Sequence, residues 1–135
     1  MQLKRSDLRI KIMTILYQID IYKQSKIEYN VDDVIKENLE IESEFVKDIV
    51  YGVNTYYDEL NDIANSYLDK WDINRLDKTG ASILRMSLYE LKYTDTPKVV
   101  VINEAIELAK SYSDDSVRKM INAVLDKYMK DNFNE

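Results

Sequence analysis

Residues 75–110 read RLDKTGASILRMSLYELKYTDTPKVVVINEAIELAK. Leu76, Ile83, Leu84, Leu88 and Leu91 fall at the spacing of one helix face. Thr96-Pro97 ends that pattern, because a residue before proline avoids helical backbone angles. Pro97 then suits the first turn of a new helix. Val99, Ile102, Ala105, Ile106 and Ala109 supply an apolar face for it. Two consecutive amphipathic helices joined by a short proline turn point to an all-α bundle.

The same period extends outward. Downstream, Ser113 or Asp114 can cap a last helix, whose buried face is Val117, Met120, Ile121, Val124, Leu125 and Tyr128. Upstream, Trp71 lies in a connector that ends near Asn74. Before it, Phe45, Ile49, Val50 and Val53 and then Leu60, Ile63, Ala64, Tyr67 and Leu68 form one helical stretch interrupted at Gly52. Glycine there costs about 1 kcal/mol against alanine, so Gly52 marks a close helix contact or a bend. Val34, Ile35 and Leu39 face inward from a short helix, after a polar linker over 23–30. Leu8, Ile12, Ile15, Leu16 and Ile19 define a first helix from about 5 to 22.

Composition narrows the function. The 135 residues fit a single domain over 1–135. Apolar residues make up 45%, and one Pro and two Gly leave few chain breakers, which favours long helices. Cysteine and histidine are both absent. That removes disulfides, the usual zinc sites, Ser-His and Cys-His nucleophile pairs and an imidazole base. Two isolated glycines cannot build a phosphate loop. No cofactor, metal site or catalytic set is expected. Residues 12–21 are apolar but too short to span a bilayer, and no cleavage signal follows them. These features predict a cytoplasmic protein without a membrane partner.

The net charge is −6, yet Lys4, Arg5, Arg9 and Lys11 cluster at the amino end, opposed only by Asp7. Cations near a helix amino end oppose the helix dipole, so a ligand is a reason for their presence. Arg5 and Arg9 lie i,i+4 and can reach one ligand. Elsewhere, Glu104 and Glu107 at i,i+3 lack the histidine a di-metal site needs; Asn103 or Glu104 suits helix capping. Arg85 and Glu90 suit ion pairs, and Trp71 suits the core.

Five segments in this order resemble one family. They are Arg9 to Asp20, ending Leu16-Tyr17-Gln18-Ile19-Asp20; Gly52-Val53 with Tyr67-Leu68 and Trp71; Arg75-Leu76 with Ile83 to Leu91; Val101 to Lys110; and Ile121 to Asp126. Together they are similar to the NusB family over nearly the whole chain. The resemblance implies about seven helices in two packed subdomains. It also implies binding to single-stranded boxA RNA jointly with NusE, a ribosomal small-subunit protein, in the antitermination complex of RNA polymerase, notably on rRNA operons. On this reading Lys4, Arg5 and Arg9 hold phosphates, Tyr17 and Tyr67 meet bases, and Asn122 adds a polar contact. NusE is expected near the helix that starts at Gly80, at Gly80 and Leu84, although Gly80 stands where the family commonly has an acid. Ala123 replaces a common glycine and Met120 a common aromatic. The family also admits a homodimer, which would cover the RNA surface. Two rival readings are a helical protein adaptor without specific RNA binding, and an RNA-docking module like that of rRNA cytosine methyltransferases. The polar segment 128–135, with no methyltransferase domain behind it, speaks against the second.

Overall fold

The computed structural model describes residues 3–133 as seven α-helices and one 3₁₀ turn, with no strand among the described residues. They are α1 (Arg5–Gln24), α2 (Val31–Asn38), α3 (Glu44–Thr55), α4 (Tyr57–Tyr67), the 3₁₀ turn (Ile73–Arg75), α5 (Lys78–Tyr93), α6 (Lys98–Tyr112) and α7 (Asp115–Asn132). Four helices start where a short polar side chain accepts from the backbone N–H three residues on. Asn30 does so from Asp33 at 3.1 Å, Ser43 from Val46 at 3.2 Å, Asp77 from Gly80 at 3.1 Å and Asp114 from Val117 at 2.8 Å. Asp114 therefore caps α7, while the Ser113 hydroxyl donates to Asp77. Pro97 is the N-cap residue of α6, one position before its first turn.

Helix α5 is the axis of the molecule. It packs against α1, α3, α4, α6 and α7, and every residue from Gly80 to Leu91 is buried. Helices α1, α2 and α3 form one packed group, and α4, α6 and α7 another. Their buried hydrophobics form one continuous cluster. A helix with neighbours on all sides needs little polar surface, which is why the 83–91 run is so densely apolar.

Several expectations are corrected. Gly52 lies inside α3, and the break between α3 and α4 falls at Tyr56. Tyr56 stacks on Tyr93 with ring centres 4.5 Å apart, while Tyr57 sends its hydroxyl to Asp20 at 2.7 Å. Neighbouring rings pulled to different partners end one helix and begin the next. Gly52 is the close contact: a Cβ there would lie 2.1 Å from the Tyr89 ring. In α6 the buried face is Val101, Ala105, Leu108 and Ala109, and Val99 is 64% exposed. Trp71 is also exposed, with the Arg75 guanidinium 5.8 Å from its ring centre.

Two ionic centres lie inside the bundle. Arg9 donates twice to Glu90, at 2.9 and 2.8 Å, and joins α1 to α5. Arg85 lies over the Tyr57 ring, donates to Asn61 at 2.7 Å and faces Asp20 at 3.6 Å. All four charged residues of these centres are at least 97% buried. The expected ion-pair roles of Arg85 and Glu90 are both observed, each with a partner on α1.

Burial pushes the Tyr57 hydroxyl up to about 12, against the opposing pull of Arg85. Burial, with the bond to Asp48, raises Tyr89 to about 12 as well. An unfolded tyrosine ionises near pH ~10, so the folded state holds these two protons more tightly. Their contribution to stability is complete below pH ~10 and is lost as pH rises through about 12. In an ultraviolet titration, the last phenolate absorbance, from Tyr57 and Tyr89, should appear together with loss of helical circular dichroism. Ionisation of all the tyrosines at full helicity would contradict this.

Candidate nucleic-acid interface

The basic start of α1 is built by a helix whose opposite side is locked into the core. Ile12, Met13, Ile15, Leu16 and Ile19 are buried, which leaves Lys4, Arg5 and Lys11 in solvent. Lys4 occupies the N-cap position and contributes no side-chain cap. The Ser6 hydroxyl donates to Glu104 of α6 at 2.8 Å, so α6 supplies an acidic border to the basic cluster. That bond is the role the structure gives Glu104, whereas Asn103 and Glu107 are exposed.

Arg9 departs from expectation. It is 3% exposed and saturated by Glu90, so it does not reach the surface where a phosphate would lie. Its position in the helix explains this: Arg9 is i,i+3 and i,i+7 from buried Ile12 and Leu16, on the apolar face. The i,i+4 relation to Arg5 does bring both guanidiniums to one object, the Phe45 ring of α3, at 4.5 Å for Arg5 and 5.1 Å for Arg9. Phe45 is thus part of the basic site. The sequence shows it only as one apolar residue among many, because its partners lie some forty positions away.

The aromatic residues separate. Tyr17 is 38% exposed on α1, twelve residues beyond Arg5 and so roughly 18 Å further along the helix. Tyr67 is half-buried at the end of α4, where its hydroxyl donates to Asp131 at 2.8 Å and its ring meets Tyr128 edge-on at 6.1 Å. The Asp131 bond, more than burial, raises the Tyr67 hydroxyl above its ordinary range. Asn122 is exposed on α7. Among the described residues no hydrogen bond or ring contact joins Tyr17, Tyr67 and Asn122 to one another.

The two expected partner contacts are also corrected. Gly80 and Leu84 are both buried. A Cβ at Gly80 would lie 2.5 Å from Val117, so α7 closes over this turn of α5. The position is internal here because α7 and α5 meet at glycine distance. Neither residue can touch a partner without opening the bundle. Among the described residues no helix is long and apolar enough to cross a membrane.

The NusB family model matches residues 6–130. A protein of Pediococcus pentosaceus named Transcription antitermination protein NusB is 38% identical over 128 residues, covering 93% of this chain and 96% of its own. The structure of T. maritima NusB superposes with a TM-score of 0.83 at 29% identity, covering 96% of this chain and 93% of that one. A structure of the antitermination factors NusB and NusE in complex with dsRNA shares the fold, with a TM-score of 0.79 at 24% identity over 94% of this chain and 96% of its own.

Proposed function

The chain belongs to the NusB family, and from that premise we propose that it is a transcription antitermination factor and not an enzyme. It binds boxA-type single-stranded RNA jointly with NusE and promotes read-through by RNA polymerase, notably on rRNA operons. The observation that carries the reading is the exposed set Lys4, Arg5 and Lys11 at the start of α1, in a chain of net charge −6.

Lys4 and Arg5 hold phosphates, and the Tyr17 ring offers a face on which an unpaired base stacks. Asn122 adds a polar contact on α7. Tyr67 is already committed to Asp131 and stands outside this reading, as do buried Arg9, Gly80 and Leu84. A basic set of only Lys4, Arg5 and Lys11 on an acidic protein gives weak RNA affinity alone, because phosphate neutralisation dominates such binding. A partner that brings further basic groups raises it. A relative of the same fold occurs in a complex of NusB and NusE with dsRNA, which supports the joint mode.

The test is fluorescence anisotropy with labelled boxA-type and scrambled RNA, with and without NusE, at two salt concentrations. NusE should tighten binding to the boxA-type RNA alone. Lys4→Ala and Arg5→Ala should each weaken it and flatten the salt dependence by roughly 0.7 per lost phosphate contact. Equal binding to both RNAs under every condition would overturn the proposal and leave a protein adaptor as the better account.

A further inference from the structure

A hollow of about 350 Å³ lies between the start of α1 and the connection from α2 to α3. Leu3, Arg5, Ile41, Glu42, Glu44 and Phe45 are among the residues that line it. A second hollow, of about 510 Å³, shares Leu3 and Ile41 and carries Lys11. Arg5 lines the first and Lys11 the second, and the two hollows adjoin along Leu3 and Ile41. Leu3 and Ile41 are large apolar side chains left in solvent, 40% and 60% exposed, and the core does not use them.

We propose that the hollow beside Arg5 and Phe45 is a subsite for one unpaired nucleobase of a bound RNA strand. The inference rests on the RNA-binding reading above. Three features of the hollow select a base. The first is size: the volume is at the lower end of small-ligand pockets, enough for a single base. The second is lining. Leu3, Ile41 and Phe45 offer apolar surface to a base face, and the Arg5 guanidinium already lies over Phe45, a plane on which bases also stack.

The third feature is charge. Glu44 would repel a phosphate inside the hollow, and Glu42, whose Oε1 already takes the Lys47 ammonium at 3.2 Å, adds no net attraction for one; the remaining carboxylate oxygens of both can accept hydrogen bonds from amino groups on a base edge. The Ser43 oxygen accepts from the Val46 N–H, which leaves its O–H free to donate. Arg5 lines this hollow, Lys11 lines the adjoining one, and exposed Lys4 lies between Leu3 and Arg5 in the chain, so that these cations can hold the strand beside the inserted base. The chemistry favours a base with an exocyclic amine (guanine, adenine or cytosine) over uracil. Phe45 and Ile41 then become residues that set which nucleotide is read, a role neither shows in the sequence.

The experiment is an abasic scan. A boxA-type RNA with one base removed at each position in turn is titrated with the full chain and NusE. The proteins are the parent, Ile41→Ser, Phe45→Leu and Lys4→Ala. Ile41 is mostly in solvent, so its variant keeps the fold whatever Phe45→Leu does. Removal of one base should weaken the parent by about tenfold. At that position alone the loss should shrink to under about twofold in Ile41→Ser and in Phe45→Leu, while Lys4→Ala keeps it. Restoring a ring with Phe45→Tyr should restore the effect.

If the parent binds RNA and no position is coupled to either variant, the subsite is overturned while the RNA-binding reading survives. If Ile41→Ser leaves RNA affinity intact without NusE but abolishes the gain from NusE, the hollow is a protein contact and the proposal falls. If the parent binds no RNA specifically, the functional reading falls and the subsite with it.

Discussion

Arg9→Met should destabilise the fold by about 3–5 kcal/mol, the largest effect expected of any single change on the surface-seeming face of α1. The substitution leaves the Glu90 carboxylate, 1% exposed, without the guanidinium that now donates to both its oxygens. It also removes one of the two cations over Phe45. An unpaired buried charge has lost its water and gained nothing in return, whereas an exposed pair of this kind would be worth at most about 1 kcal/mol. The melting temperature followed by circular dichroism should fall by on the order of 15 °C.

The control is Arg9→Met with Glu90→Met. It should recover most of the loss, because similarly shaped apolar pairs often replace buried ion pairs at little cost. Once corrected for the folded fraction, the salt dependence of RNA binding should be unchanged in Arg9→Met. A fully stable Arg9→Met with a flattened salt dependence would return Arg9 to the phosphate-binding set and contradict the buried geometry.

Gly52→Ala should cost about 3 kcal/mol, at the upper end of overpacking effects. In most exposed helices the same change is stabilising, because alanine is the better helix former. Here the added carbon would sit 2.1 Å from two ring atoms of Tyr89 and 2.6 Å from its hydroxyl. The ring has little room to withdraw, since its hydroxyl donates to Asp48 at 2.9 Å and its face stacks with Tyr93 at 5.3 Å. Urea unfolding of Gly52→Ala, Tyr89→Leu and the double variant forms the test. Removing the ring relieves the clash, so the double variant should be about 2 kcal/mol more stable than the two single losses added together. Simple additivity would mean that α3 and α5 do not meet through Gly52 and Tyr89.

Most of the fold was legible because helix signals are local. The three-to-four residue period of Leu76 to Leu91 and of Val117 to Tyr128, the Thr96-Pro97 stop and the Asp114 cap each act within one or two turns. Arg9 stands three and seven residues before buried Ile12 and Leu16, but its i,i+4 relation to Arg5 groups it with the ligand-holding cations. A basic residue next to other basic residues reads as surface, and its acid partner is eighty-one positions away. The α3–α4 break shows the limit in another way. Gly52 is a visible breaker but stays helical, and the chain turns at Tyr56, whose partner is on α5.

By itself the sequence determined the all-α class, the order of the helices, the exclusion of histidine and cysteine chemistry, and the family. All of these follow from residue types and their spacing along the chain. Only the tertiary structure decided which charges face water. It buried Arg9 and Glu90, closed α7 over Gly80, and brought Phe45 beneath Arg5. The physical reason is that a charged or glycine residue fits either a surface or an interior. The choice depends on a partner that packing supplies from elsewhere in the chain.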